Sequence, residues 1–178
     1  MNTTTISMRG KSALQGFAVG LTWLVAAGSV HADGYRAAVP ILPAYGQECA
    51  ACHMAYPPSL LPAASWQRLM RGLDQHYGTN ASLDEATVIT IGNWLTSHAA
   101  GGKRAVEPPQ DRITQSQWFV RKHRQFNAAD WAHPQIKTAS NCVACHAGAE
   151  RGNFEEDEVR LPDGVGRAAW TRLMSRHD

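Results

Sequence analysis

Two segments of the chain carry the same five-residue device. Cys49-Ala50-Ala51-Cys52-His53 and Cys142-Val143-Ala144-Cys145-His146 both read Cys-x-x-Cys-His, and between them they use all four cysteines of the 178-residue sequence. Whatever each segment binds or bonds, it uses both thiols and the histidine that follows, so the fold must be built around these two points.

Three chemistries compete for such cysteines. Export would favour two local disulfides. Two Cys-x-x-Cys pairs would suit one tetrahedral zinc ion. The third is covalent haem attachment, for which Cys-x-x-Cys-His is the signature. The histidine separates them, because neither a zinc site nor a redox dithiol requires it there. In haem attachment each thiol bonds one vinyl group and the histidine binds the iron from below. The sequence therefore predicts two covalent haem c groups, with thioethers at Cys49, Cys52, Cys142 and Cys145 and proximal ligands His53 and His146.

The N-terminus agrees with that chemistry. Arg9 and Lys11 precede an uncharged apolar stretch from Ala13 to Ala27, and Val30-His31-Ala32 resembles a signal-peptidase site. Residues 1–32 are predicted to be a secretory signal peptide, with Asp33 first in the mature chain. An uncleaved anchor is the alternative, although the apolar run is shorter than the roughly 20 residues of a membrane span. Cleavage leaves 146 residues, one domain's worth of chain, with 15 basic and 15 acidic side chains. No basic stripe of the kind that binds nucleic acid is present. Five tryptophans and seven histidines remain in a chain modest in aliphatic residues. A bound aromatic cofactor would supply apolar surface that such a chain lacks.

Periodicity predicts a mainly α fold without strands. One helix is expected over residues 65–77, with Trp66, Leu69, Leu73 and His76 on one stripe, ended by Gly78. A second is expected over 83–98 behind a Ser82/Glu85 capping box. A third is expected over 115–126 behind Thr114, with Phe119, His123 and Phe126 on one face, and a fourth over 168–176. "LLPAASWQRLM" and "RLPDGVGRAAWTRLM" share Leu-Pro, a loop and Trp-x-Arg-Leu-Met. The chain thus divides into a haem module at 33–104 and another at 105–178, joined through "GGKRAVEPPQD".

The sixth iron ligand decides what such a protein does. His76 and His123 fall on apolar stripes, where an unsatisfied imidazole is costly and coordination would satisfy it. His76 follows His53 by 23 residues, and His123 precedes His146 by 23, so each iron has a local partner. His98, at a helix end, and His177 are the rival distal ligands. His133 sits in a loop before Pro134, and Met70 and Met174 suit packing better than ligation.

The chain resembles the dihaem cytochrome c family of periplasmic electron carriers. The resemblance rests on "ECAACHMAYPPSLLPAASWQRLMRGLDQHYGTNASLDEATVITIGNWL", "RITQSQWFVRKHRQF" and "NCVACHAGAERGNFEEDEVRLP". It implies two c-type haems, both with bis-histidine iron, in a mostly helical fold whose N-terminal half is similar to a small monohaem cytochrome c. His76 in "DQHYG" and His123 in "WFVRKH" occupy the family's histidine positions. It also implies redox proteins as partners, with a membrane b-type cytochrome as donor and a small oxygen-binding c-type cytochrome as acceptor. The expectation is a periplasmic carrier of single electrons that catalyses no reaction of its own. The alternative is a peroxidase-like or gas-binding protein with one open iron. The acidic run "FEEDEV", at 154–159, is a candidate surface for steering a basic partner.

Overall fold

The computed structural model describes residues 39–166, and these form helices, 3-10 turns and loops with no strand among them. The expected signal peptide and the expected last helix, with Trp170, Met174 and His177, lie outside the described residues. No helix among the described residues is long and apolar enough to cross a membrane.

Helix α1 (Pro43–Cys49) opens on proline, whose fixed φ suits a first helical position, and closes on the first cysteine. Its Tyr45 is buried, and the Tyr45 hydroxyl donates to the Tyr56 carbonyl at 2.8 Å. That bond ties the helix before the motif to the chain after it. Pro58–Leu60 then form a 3-10 turn, and extended backbone at Leu61 and Pro62 leads into α2 (Ala63–Arg71). Trp66 and Met70, one turn apart on α2, face Ile91 and Leu95, one turn apart on α3 (Glu85–Ser97). With Tyr45, Ala55 and Leu61 they form the main core. The buried Trp66 indole donates to Pro58 O at 2.7 Å, so its one polar group is satisfied.

Three helix boundaries differ from expectation. Helix α2 stops at Gly72, whose amide is shared between the Arg68 and Leu69 carbonyls, so Leu73–Gln75 form a separate 3-10 turn and His76 stands in the loop beyond it. Helix α3 is capped by Asp84, which accepts from the Thr87 amide at 3.0 Å, while Ser82 donates its own amide to Asn80. Helix α4 (Gln117–Lys122) starts behind Ser116 rather than Thr114, because residues Ile113–Gln115 already form a 3-10 turn. The Ser116 hydroxyl, in a buried residue, accepts from Phe119 N and donates to Ile113 O. The short α5 (Ala128–Trp131) was not expected; Asn127 and Asp130 give it a reciprocal capping box.

The segment expected as a linker is pinned to the first core. The Arg68 guanidinium reaches Glu107 and Asp111, each at 2.6 Å, and the Tyr77 hydroxyl donates to the Gln110 and Asp111 carbonyls. The second motif lies on a 3-10 turn, Cys142–Ala144, and His146 bridges to Val159.

Candidate haem sites

The four cysteines are unbridged, and no group of three or more His, Cys, Asp or Glu able to hold a metal ion occurs among the described residues. Neither disulfides nor a shared zinc site is assembled. Burial pushes the Cys49 and Cys142 thiols up to about 11 and raises Cys145 as well. Reactive dithiols depend on the opposite shift, toward the thiolate.

The histidines come together in two pairs. His53 and His76 have ring centres 6.2 Å apart, with their planes at 33°. His123 and His146 are also 6.2 Å apart, with their planes at 74°. Metal–imidazole nitrogen bonds of about 2 Å place the centres of two opposed ligand rings roughly 6 Å apart. The spacing of both pairs therefore suits one iron between each.

The nitrogens are arranged to leave a lone pair available. His53 Nδ1 lies 2.7 Å from Met54 O and His123 Nδ1 lies 2.9 Å from Phe119 O, contacts that suit an Nδ1–H donor and turn Nε2 into the acceptor. Burial, and next the charge of the partner His53, lower the His76 pKa. Burial, and next the charge of His123, lower that of His146. Burial lowers His123 too, against the opposing Phe119 hydrogen bond. Each shift favours the neutral imidazole that can bind a metal. The Nδ1 atoms of His76 and His146 and the indole nitrogen of Trp118 are buried without a partner, which marks polar groups of both pairs as shaped for something besides protein.

Aromatic rings stand behind each pair. Tyr56 stacks on His53 at 4.9 Å and Tyr77 meets His76 edge-on at 4.9 Å. Phe119 stacks on His123 at 4.1 Å, Trp131 is 5.8 Å from it, and Phe154 is 5.3 Å from His146. Sequence reasoning missed Tyr56, Tyr77, Trp131 and Phe154 as site residues. Tyr56 and Tyr77 were within reach of it, three residues after His53 and one after His76, whereas Trp131 depends on the unexpected α5. The ring of the rival His98 lies against Trp94 at 5.4 Å, with Nδ1 2.8 Å from Trp94 O. His133 Nδ1 accepts from the Gln135 amide, and Met70 packs in the core.

The sequence matches the family model of the dihaem cytochromes c over residues 45–154. No curated protein matches it. Among solved structures, the diheme cytochrome type c from Shewanella baltica OS155 is 38% identical, with 72% of this chain and 98% of that one covered, at a TM-score of 0.62. A diheme cytochrome c from Rhodobacter sphaeroides is 42% identical over 66% of this chain and 100% of that one, at a TM-score of 0.58. Two haem c groups, bound covalently and carrying iron, follow from that match and give each Cys-x-x-Cys-His segment its use. On the matched length and the shared fold together, the chain belongs to the dihaem cytochrome c family.

Proposed function

We propose that this haem-based electron carrier relays single electrons between redox partner proteins in the periplasm, with both irons closed by histidine pairs. His53 and His146 serve as proximal ligands and Cys49, Cys52, Cys142 and Cys145 as thioether anchors. His76 completes the first iron and His123 the second. When bound, haem supplies a one-electron ferric/ferrous couple. The protein's own part is to hold both imidazoles of each pair opposed and backed by rings, so that a change of iron charge meets little rearrangement.

The observation that carries this reading is the 6.2 Å spacing found in both pairs. A pair at that distance would hold one iron between its two imidazoles, which favours electron transfer over oxygen or peroxide chemistry, since that chemistry needs a vacant position. Two histidines and no thioether sulfur also favour a potential below that of Met/His sites. The signal segment at 1–32 supports the periplasm, and the modules at 33–104 and 105–178 each contribute one iron site. A membrane b-type cytochrome as donor and a small c-type cytochrome as acceptor suit such a carrier. Within the acidic run, Glu156 pairs with Lys122 at 2.7 Å and the Glu158 carboxylate accepts from the Asn153 side chain at 2.9 Å.

Absorption spectra of the matured protein, ferric and ferrous, with and without carbon monoxide, test the proposal. Low-spin spectra unchanged by carbon monoxide are expected. A ferrous carbon monoxide complex in the unaltered protein would instead support the open-iron alternative, a peroxidase-like or gas-binding protein.

A further inference from the structure

Tyr56 belongs to the loop that follows the first motif, and its ring lies nearly parallel to His53, at 29°. Its hydroxyl leaves that site. It donates to the carbonyl of Ser140, 84 residues away, at 2.8 Å. The same carbonyl accepts from the Cys142 backbone amide at 3.0 Å and lies 3.6 Å from the Cys142 sulfur. One side chain therefore touches the proximal histidine of the first site and, through a single carbonyl, the first thioether residue of the second.

The placement is held from both sides. The Tyr56 carbonyl accepts from Tyr45, whose ring is anchored in the core against Trp94 at 5.2 Å. The Ser140 segment is fixed by Asn141, whose side chain donates to the carbonyl of the buried Ile136 at 2.9 Å. Stacking on His53 needs only a ring, and phenylalanine would supply it. The phenol hydroxyl adds a bond to the other half of the molecule.

We propose that Tyr56 is the positioning residue that couples the two redox sites. It fixes the His53 loop against the Cys142 segment, and it supplies a route between the His53 ring and the Cys142 thioether made of one stacked contact and two hydrogen bonds that meet at the Ser140 carbonyl. This inference rests on the relay reading above. The step is a one-electron exchange in which one site is oxidised as the other is reduced. No proton moves, no bond forms or breaks, and Tyr56 stays a neutral phenol throughout.

The test uses matured protein with both haems, as wild type, Tyr56→Phe and Tyr56→Leu. Flash photoreduction gives the rate of internal transfer, a redox titration gives the two apparent potentials, and absorption spectra report the ligation of each iron. Tyr56→Phe is expected to keep both low-spin spectra while internal transfer slows and the interaction between the two redox steps shrinks. Tyr56→Leu is expected to slow transfer further and to shift the spectrum of the first site, whose histidine loses its stacked ring. If Tyr56→Leu fails to retain both haems, Tyr56→Phe decides alone. Wild-type rates and potentials in Tyr56→Phe overturn the coupling role and leave the relay standing. A wild-type protein without any internal transfer phase overturns the relay, and this inference with it.

Discussion

His76 and His123 are assigned the same task with unequal support, and the inequality predicts which iron an outside ligand reaches first. His123 has its Nδ1 bonded to Phe119 O at 2.9 Å, the Phe119 ring stacked at 4.1 Å, and Trp131 and Phe126 at 5.8 and 6.2 Å. His76 has the edge of Tyr77 at 4.9 Å and a buried Nδ1 without a partner. It also stands in a turn whose next two residues have positive φ, Tyr77 at 52° and Gly78 at 94°. Tyr77 offsets one of the rings around His123. What remains is one hydrogen bond, contributing about 1 kcal/mol, and two further aromatic contacts, contributing about 1 kcal/mol each. At about 1.4 kcal/mol for each factor of ten, His76 should be displaced on the order of 100-fold more readily than His123.

Cyanide titration of the ferric protein, followed by absorption, measures this. Two binding phases are expected, the easier one at the first site. His76→Ala should convert the easier phase into binding without competition and leave the harder phase as it was. His123→Ala should do the reverse. If His76→Ala removes the harder phase, or if the wild-type phases coincide, the argument from ring contacts and the Phe119 bond is wrong.

Gly148→Ala should cost about 1–3 kcal/mol in denaturant unfolding, because the added Cβ would sit 2.8 Å from Asn153 Cβ and 3.2 Å from its carbonyl oxygen. Its φ of −93° suits any residue, so crowding alone is responsible, and the spectrum of the second site should change while the first is unmoved. Hydrogen bonds from Arg68 hold the Asp111 carboxyl below its ordinary range, so its contribution is full above the unfolded pKa and fades as pH falls through the lower folded value. Asp111→Asn should therefore be less stable than wild type at neutral pH, with the difference fading below about pH 4 in an acid-unfolding titration. Replacing Cys142 and Cys145 together by Ala should leave one haem by mass spectrometry. Hydrogen exchange should then rise across α4 and α5 and stay slow in α2 and α3.

The parts that were legible in the sequence are those set by neighbours along the chain. The cysteine motifs, the inward face of α2 at Trp66 and the absence of strands among the described residues all follow from local spacing. His76 and His123 were found for a partly mistaken reason in one case. Apolar spacing placed His76 on a continued helix, but Gly72 ends α2, and His76 meets His53 from a loop. Ser82 and Thr114 looked like caps because hydroxyl residues favour that position, yet the backbone had already turned before Asp84 and Ser116 took it. The Arg68 clasp on Glu107 and Asp111, and the Tyr56 bond to Ser140, join residues 39 to 84 positions apart. No periodicity records such pairs, because they depend on how the segments are brought together.

The two halves reach their stability by different physics. In the first, helices of nine and thirteen residues pack a continuous core from Tyr45 to Leu95. In the second, the described helices have six and four residues, too short to persist alone in water. Among the described residues the buried hydrophobic side chains there, Phe119, Ile136, Ala149 and Val165, are widely spread along the chain. Four of its large rings, Phe119, Phe126, Trp131 and Phe154, gather around His123 and His146. A covalently held aromatic cofactor at that point would add the apolar surface that a small core lacks, which predicts that attachment and folding of this half are coupled. The first half needs no such help to form α2 against α3. The bonds that run between them, Arg68 to Asp111 and Tyr56 to Ser140, fasten the half that depends on its haem to the half that can form a core without one, and so set where the second site stands relative to the first.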